Sequence, residues 1–294
     1  MTEQGVIIKG LGGLYTVAFQ NKIYACPARG IFRKEGFKPM IGDMVELSEI
    51  NEAEGTAVIE NILPRKNQLI RPAVANVDQI VIVMAARSPA PDLLLIDKLL
   101  ISARNKNVPV IMVINKTDQS PELAEEWHAQ YANAVPEILM CCAKDGVGGK
   151  ALKDFLKGKI SVMAGQSGAG KSTLLNLLLG DTVMETGGLS KKTDRGRHTT
   201  RHNEMFMLDD SFIIDSPGFS LFEMEELEPL ALQTLYSEIY NNSGSCFFPD
   251  CSHTGEPKCF VKELIETGVF HRERYERYKL LYKELKEREK NKYK

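Results

Sequence analysis

Three consecutive domains are predicted: a five-stranded β-barrel over residues 1–68, an α/β domain with a mainly parallel sheet over 69–222, and a helical metal-binding domain over 223–294. Three observations carry this. Short β-like runs separated by glycines fill the first part. A strand–helix alternation surrounds a glycine-rich loop, Gly165–Ser172, in the second. Three cysteines and a histidine fall within 14 residues, Cys246 to Cys259, in the third.

The 294 residues exceed an average single domain, and the 43% hydrophobic and 26% charged fractions are those of an ordinary globular protein. A net charge of −2 argues for no particular partner of the whole molecule. No apolar run reaches the roughly 18 residues that a membrane span needs. The start, Met1 to Gly5, lacks a basic segment followed by an apolar one, so no signal peptide is expected. Six cysteines in that setting point to a reducing, cytoplasmic compartment, where clustered thiols bind metal more often than they pair.

In the first domain, strands are expected at Val6–Lys9, Gly13–Phe19, Lys22–Cys26, Met44–Leu47 and Thr56–Glu60, with breaks at Gly10, Gly42–Asp43 and Gly55. Five short strands fit a small closed barrel, of which the OB-fold is one candidate. The loop Arg29–Lys38 mixes four basic residues with Phe32 and Phe37. That composition suits contact with phosphates and stacked bases, and equally a solvated loop whose aromatics tuck against the barrel.

The second domain opens with Asn76–Met84, an apolar run of the kind buried on both faces of a sheet. A helix follows from Asp92, a plausible N-cap, to Lys106, then a strand at Val108–Ile114, a helix at Glu122–Asn133 and a strand at Val135–Cys141. Lys159–Ala164 is the next strand, and Ser172–Leu179 a helix. Between those two lies Gly165-Gln166-Ser167-Gly168-Ala169-Gly170-Lys171-Ser172, which fits G-x-x-x-x-G-K-[ST]. Backbone N–H groups and the positive end of the helix dipole would face a phosphate there; Lys171 adds a charge, and Ser172 a hydroxyl placed for Mg²⁺.

In such sheets ligands sit beyond the carboxyl ends of the strands. One strand ends in Asn115-Lys116-Thr117-Asp118, an N-K-x-D. The Asp118 carboxylate can accept from N1–H and the N2 amino group of guanine; adenine offers neither, so discrimination by an unpaired carboxylate is large. Asn115 can reach N7 and tie loops together, and the Lys116 stem can cover the ring face. A helix cap explains the same residues about as well. The next strand ends in Cys141-Cys142-Ala143-Lys144, similar to an S-A-K element in which a backbone N–H meets guanine O6, with Cys142 where serine is usual.

Beyond the phosphate loop, Gly187–Asn203 carries five basic residues against one acid. Within it, His198-Thr199-Thr200-Arg201 resembles a switch I segment whose threonine meets Mg²⁺ and the γ-phosphate; Thr200 is preferred to Thr199. Two antiparallel strands, Asn203–Leu208 and Ser211–Ile214, run into Asp215-Ser216-Pro217-Gly218, a D-x-x-G in which Asp215 can hold Mg²⁺ through water and the Gly218 N–H can meet the γ-phosphate. The base-reading elements thus precede the phosphate loop and both switches. That order is a circular permutation, which preserves a packed sheet while moving the chain ends.

The third domain is acidic and then helical over Glu223–Asn242. It continues into Cys246, Cys251, His253 and Cys259, three thiolates and an imidazole suited to a closed tetrahedral Zn²⁺ site, a reduced surface cluster or a disulfide, which the compartment disfavours, being the alternative. From Lys258 onward there are 12 Lys/Arg against 7 Glu. The helix His271–Lys290, with Tyr275, Tyr278, Leu281, Tyr282 and Leu285 as its apolar stripe, either presents a solvated charged face or lies on RNA phosphates.

The motif order, Gly196–Thr200 (G-R-H-T-T), Asp215–Phe219 (D-S-P-G-F) and the Cys/His cluster together resemble the bacterial RsgA (YjeQ, YloQ) GTPases over essentially the whole chain. The resemblance implies an N-terminal OB-fold, a circularly permuted P-loop GTPase domain and a C-terminal zinc-binding helical domain. It also implies GTP hydrolysis to GDP stimulated by the small (30S) ribosomal subunit, contact with 16S rRNA near the decoding region, and a cytoplasmic monomer with no membrane partner. The nucleotide-binding set carried over is Asn115, Lys116, Thr117 and Asp118; Cys142, Ala143 and Lys144; Gly165, Gln166, Ser167, Gly168, Ala169, Gly170, Lys171, Ser172 and Thr173; and Asp215 and Gly218. Lys171, Thr200 and His198 are its catalytic candidates, with Ser172 and Thr200 as Mg²⁺ ligands. Phe219 stands where a water-orienting glutamine is expected, which implies slow hydrolysis by the isolated protein, and the family places that role on the histidine here numbered 198. A phosphate or RNA contact explains His198 equally. Two further functions stay open: a GTP-gated RNA-binding switch with little turnover, and a P-loop ATPase in which Asn115–Asp118 is only a cap.

Overall fold

Alternating apolar residues drive the first five strands into a barrel: β1 (Glu3–Leu11), β2 (Leu14–Phe19), β3 (Lys22–Pro27), β4 (Met44–Asn51) and β5 (Thr56–Ile62). These and all later features come from a computed structural model that describes residues 3–11, 13–27, 38–70, 72–180, 204–215, 227–242 and 246–292. Along β3, Tyr24 and Cys26 point inward while Ile23 and Ala25 face out; Val45 and Leu47 on β4, and Ala57 and Ile59 on β5, complete the same core. The strand order β1-β2-β3-β5-β4 closes because β1 pairs antiparallel with both β2 and β4, and β3 meets β5 in parallel at Ala25 and Thr56. This is the topology of an OB-fold. Gln20 and Asn21, both at positive φ (46° and 58°), form the two-residue turn that matches the twist of β2 and β3. At one end the fully buried Asp43 carboxylate accepts from Arg65 Nε at 2.6 Å and from the Met40 N–H at 2.8 Å.

The central sheet has six strands in the order β10-β9-β8-β11-β13-β12. After a short antiparallel pair, β6 (Gln68–Leu69) and β7 (Val74–Ala75), its members are β8 (Gln79–Ala85), β9 (Val110–Asn115), β10 (Ile138–Met140), β11 (Ile160–Ala164), β12 (Glu204–Leu208) and β13 (Ser211–Asp215). Every residue of β8, β9 and β11 is buried, as continuous apolar runs require when helices cover both faces. β10 pairs parallel with β9, β13 parallel with β11, and β12 antiparallel with β13. β8 starts later than the expected Asn76 because Asn76 lies at φ 58°, outside the β region, and its side chain bonds the Gly42 carbonyl. The helix Leu93–Asn105 begins where expected, with the Asp92 carboxylate accepting from the Leu95 N–H at 2.9 Å. A helix over Gly149–Leu156 is not foreseen by the sequence.

The C-terminal part differs more. The expected helix within Glu223–Asn242 is instead a 3₁₀ turn at Pro229–Leu235 and a four-residue helix at Ser237–Tyr240, divided by Tyr236 in an extended conformation; residues 223–226 lie outside the described residues. Pro229, which has no N–H, suits the first position of such a turn. The last helix spans Arg272–Lys292. Of its stripe, Tyr278, Leu281 and Leu285 are buried with Leu232, Tyr236 and Phe270, and Tyr275 and Tyr282 pack against them. Its basic residues do not form one solvated face. Arg274 is fully buried: its Nε donates to Glu238 Oε1 at 2.5 Å, Nη1 donates to Asp97 Oδ1, and its guanidinium lies over the Tyr131 and Tyr236 rings. Arg277 Nε adds a 2.6 Å bond to Asp97 Oδ2.

Contacts group the chain into two compact units. One holds Met1–Ile80, Lys150–Ala164 and Ser172–Phe219; the other holds Val81–Gly149, Gly165–Lys171 and Ser220–Lys294. Among the described residues no helix is long and apolar enough to cross a membrane.

Candidate nucleotide site and metal centre

Three loops in the second unit form the candidate nucleotide site. The first follows β11, where two glycines adopt conformations that a side chain forbids. A Cβ on Gly165 (φ +128°) would lie 2.0 Å from the Val83 carbonyl oxygen, and one on Gly170 (φ +98°) 2.2 Å from Asn115 Nδ2. The backbone between them is therefore free to curl into a cradle of N–H groups, and the helix Lys171–Leu179 starts directly after it. Lys171 Nζ folds back over the loop, donating to the Gly165 and Gln166 carbonyls at 2.8 and 3.0 Å.

Asn115 joins all three loops. Its Nδ2 donates to the Ala169 carbonyl at 3.0 Å, and its Oδ1 accepts from the Ala143 N–H at 3.1 Å. The residue is 1% exposed, so both ends of its amide are spent on holding loops together. Lys116, at φ 60°, sends its Nζ to the Gly168 and Ser88 carbonyls, each at 2.8 Å. Thr117 donates from Oγ1 to the Cys141 carbonyl at 3.2 Å. Asp118 is exposed at the rim, and Cys142 Sγ lies 3.2 Å from its Oδ1 and 3.1 Å from Asp145 Oδ2. Burial, followed by bonds to Asp145 and Asp118, holds the Cys142 thiol above its ordinary pKa, so it stays protonated and can donate.

Two contributors escape sequence reasoning. Ser88 belongs to a proline-rich link, and Asp145 to a turn; neither carries a motif. Gln166 also acts in an unforeseen way, accepting from the Asp92 N–H at 2.9 Å and tying the phosphate loop to the start of the helix Leu93–Asn105.

In the first unit, Asp215 ends β13 in register with Met163, two residues before the phosphate loop begins. Ser172 and Thr173 belong to the helix Lys171–Leu179. His198, Thr199, Thr200, Gly218 and Phe219 lie outside the described residues.

The candidate metal centre gathers Cys246, Cys251, His253 and Cys259, with all four ligand atoms within 4.8 Å of one another. Cys246 Sγ is 4.0 Å from Cys259 Sγ and 3.6 Å from His253 Nδ1, which is 3.3 Å from Cys259 Sγ. Ligands 2.0–2.3 Å from a central tetrahedral ion would be separated by about 3.5–3.8 Å. The donor set fits. His253 Nε2 sits 2.6 Å from Gln233 Oε1, an acceptor that keeps the proton on Nε2 and presents the Nδ1 lone pair to the cluster. Among the described residues the six cysteines form no disulfide.

The chain matches the RsgA GTPase family over residues 62–225 and the RsgA N-terminal domain family over residues 4–57. This chain belongs to the RsgA GTPase family. Among curated RsgA relatives, the Small ribosomal subunit biogenesis GTPase RsgA of Ruminiclostridium cellulolyticum is 43% identical, covering 97% of this chain and 94% of its own. The RsgA of the same description from Caldanaerobacter subterraneus is 41% identical, covering 99% and 98%. Two solved structures are similar throughout. YjeQ from Thermotoga maritima aligns with a TM-score of 0.79 at 35% identity, over 97% of this chain and 99% of that one. YloQ, described as a circularly permuted GTPase, aligns with a TM-score of 0.79 at 30% identity, over 98% and 96%. The permuted strand order of this chain is thus that of an RsgA GTPase, which is a hydrolase.

Proposed function

We propose that this RsgA GTPase hydrolyses GTP while acting on the small ribosomal subunit during its biogenesis, the role carried in the names of its curated relatives. The observation that supports it best is Asn115, buried and bonded at once to the phosphate loop at Ala169 and to the third loop at Ala143. That bond pair holds a base-reading carboxylate, Asp118, and a phosphate cradle in one site. Asp118 reads the guanine edge, the Lys116 stem covers the ring, and the glycine loop with Lys171 binds the phosphates. Thr117, Cys142, Ala143, Lys144 and Gln166 line or brace the same nucleotide.

Ser172, Thr200 and Asp215 would hold Mg²⁺. When bound, that ion neutralises charge on the β- and γ-phosphates. What the chain supplies is position: Lys171 at the phosphates, the Gly218 N–H at the γ-phosphate, and His198 orienting water where Phe219 cannot. Hydrolysis by the isolated protein is accordingly slow, and the subunit accelerates it. Cys246, Cys251, His253 and Cys259 would hold one structural Zn²⁺, which offers closure of a small helical domain and no open coordination position. The domains of the working molecule run over 1–68, 69–222 and 223–294, the barrel and the basic C-terminal part meet 16S rRNA near the decoding region, and the protein works as a cytoplasmic monomer.

A GTPase assay with purified small subunits, large subunits and no ribosomes tests this. Stimulation by small subunits alone is expected; stimulation by large subunits alone would overturn it. GDP should compete for the free protein far better than ADP, and Asp118→Ala should abolish that preference.

A further inference from the structure

We infer that Cys246 is an oxidisable residue at the mouth of the metal centre: a peroxide joins it to Cys259 as a disulfide, which expels the metal and loosens the C-terminal core. The inference rests on the metal centre proposed above and gives it a second task, the sensing of oxidant.

The four ligands are not equally protected. Cys251, His253 and Cys259 are 3%, 7% and 7% exposed, whereas Cys246 is half-buried. Cys246 lines a cleft of about 770 Å³ whose other walls include Ile239, Tyr240, Phe248, Pro249 and Phe260. A hydrogen peroxide molecule is little larger than water, so the cleft admits it to the Cys246 sulfur. Cys251 and His253 border the same cleft, but their burial leaves little of either to attack.

The resolving sulfur is in place. Cys259 Sγ lies 4.0 Å from Cys246 Sγ, and the Phe247 N–H donates to the Lys258 carbonyl at 3.4 Å. That bond holds the two stretches side by side, as a disulfide between their cysteines requires. In the first step one peroxide oxygen bonds to Cys246 Sγ as the O–O bond breaks. The other oxygen leaves as water with protons from solvent, and Cys246 becomes a sulfenic acid. The Cys259 sulfur then attacks Cys246 Sγ: an S–S bond forms, the S–O bond breaks, and the hydroxyl leaves as a second water. Two thiolates have given up two electrons, and the peroxide has taken them.

A disulfide is no substitute for two thiolates as metal ligands, so half of the donor set is lost at once. Cys251 and Cys259 belong to the apolar cluster of Tyr236, Tyr278 and Leu281, and the Tyr278 hydroxyl donates to the Ser252 carbonyl at 2.8 Å. Release of the metal therefore frees the segment that covers this core.

The test treats zinc-loaded full-length protein with hydrogen peroxide. Released zinc is followed with a chromogenic chelator, and thiols are mapped by alkylation and peptide mass spectrometry. Zinc should leave in step with a Cys246–Cys259 disulfide, while the buried Cys26, Cys141 and Cys142 stay reduced. A sulfenic-acid trap present during treatment should label Cys246 about tenfold more than Cys251 or Cys259. Hydrogen exchange should accelerate over Cys246–Cys259, and dithiothreitol with added zinc should reverse both changes. Zinc kept under peroxide that oxidises a free model thiol overturns the inference. So does release without the Cys246–Cys259 bridge, or trapping first at Cys251. Untreated protein that takes up no zinc defeats the metal assignment and the inference with it; zinc that binds but survives peroxide defeats the inference alone.

Discussion

The barrel at the start of the chain and the helical region at its end are stabilised by different physics. In the barrel, Ile7, Val17, Val45 and Ile59 are wholly buried, and alternation alone puts them there. Burial of such side chains contributes about 1.5–3 kcal/mol each, and no single one is indispensable. In the C-terminal region the apolar cluster is joined by groups that are costly to bury. Arg274 and its partner Asp97, contributed by the helix Leu93–Asn105, are each 0% exposed, and four metal-type ligands crowd one point. Such groups are tolerable only when every partner is present. The lesson is one of cooperativity: the barrel should lose stability gradually, the C-terminal region all at once.

Removing metal should have the largest effect. Structural zinc contributes about 10 kcal/mol or more to small domains, so a chelator should unfold the segment around Cys246–Cys259. Hydrogen exchange would accelerate there and stay unchanged in residues 3–62. Equal exchange with and without chelator would erase the contrast.

Next comes Arg274→Ala, which leaves the Asp97 and Glu238 carboxylates buried without their main partner. A loss of about 3–5 kcal/mol is expected in denaturant unfolding. The triple change Arg274→Met, Asp97→Leu and Glu238→Leu should recover much of it, since the penalty arises from unpaired charge. If the triple variant is as weak as the single one, the packing of Arg274 against Tyr131 and Tyr236 matters more than the ion pairs.

Ile59→Ala in the barrel should cost about 2–4 kcal/mol, a transfer term plus a cavity, and should leave exchange at the metal centre as it was. The smallest effect is Glu256→Gln, about 1 kcal/mol. Burial opposes the charge of Glu256, but bonds from the Ser252 hydroxyl and from the N–H groups of Ser252 and Gly255 bring its pKa down to about 2. A depressed carboxylate stabilises above its ordinary value of 4.5, and that contribution disappears as pH falls towards about 2. The variant should therefore match the parent at pH 2 and fall behind it above pH 4.5. A difference independent of pH would mean the carboxylate's charge is irrelevant to the turn.

Much of this was legible in residues. β3 begins at Lys22 as its alternation predicts, and Asp92 caps its helix because a carboxylate before an amphipathic run has few better uses. Cys246, Cys251, His253 and Cys259 converge as their local spacing allows. What escaped has a common cause. Arg274 looked like one cation among many on a charged helix, because its partners Asp97 and Glu238 are 177 and 36 residues away. Asp145 and Ser88 join the candidate nucleotide site through a thiol and a carbonyl, neither of which leaves a trace in a motif. The helix expected after Pro229 is broken at Tyr236, which is extended and whose ring is buried against Tyr278 at a centroid distance of 5.0 Å, a contact with a residue 42 positions away that local periodicity does not show.

The sequence by itself determined most of the elements and the family, since periodicity, glycine loops and ligand spacing act over a turn or a strand. Only the tertiary structure decided which polar groups are buried and who satisfies them: Asn115 bracing three loops, Cys142 between two carboxylates, Arg274 between Asp97 and Glu238. Desolvation makes those choices. A polar side chain costs little in water and several kcal/mol inside, and which it meets is fixed only when distant segments close over it.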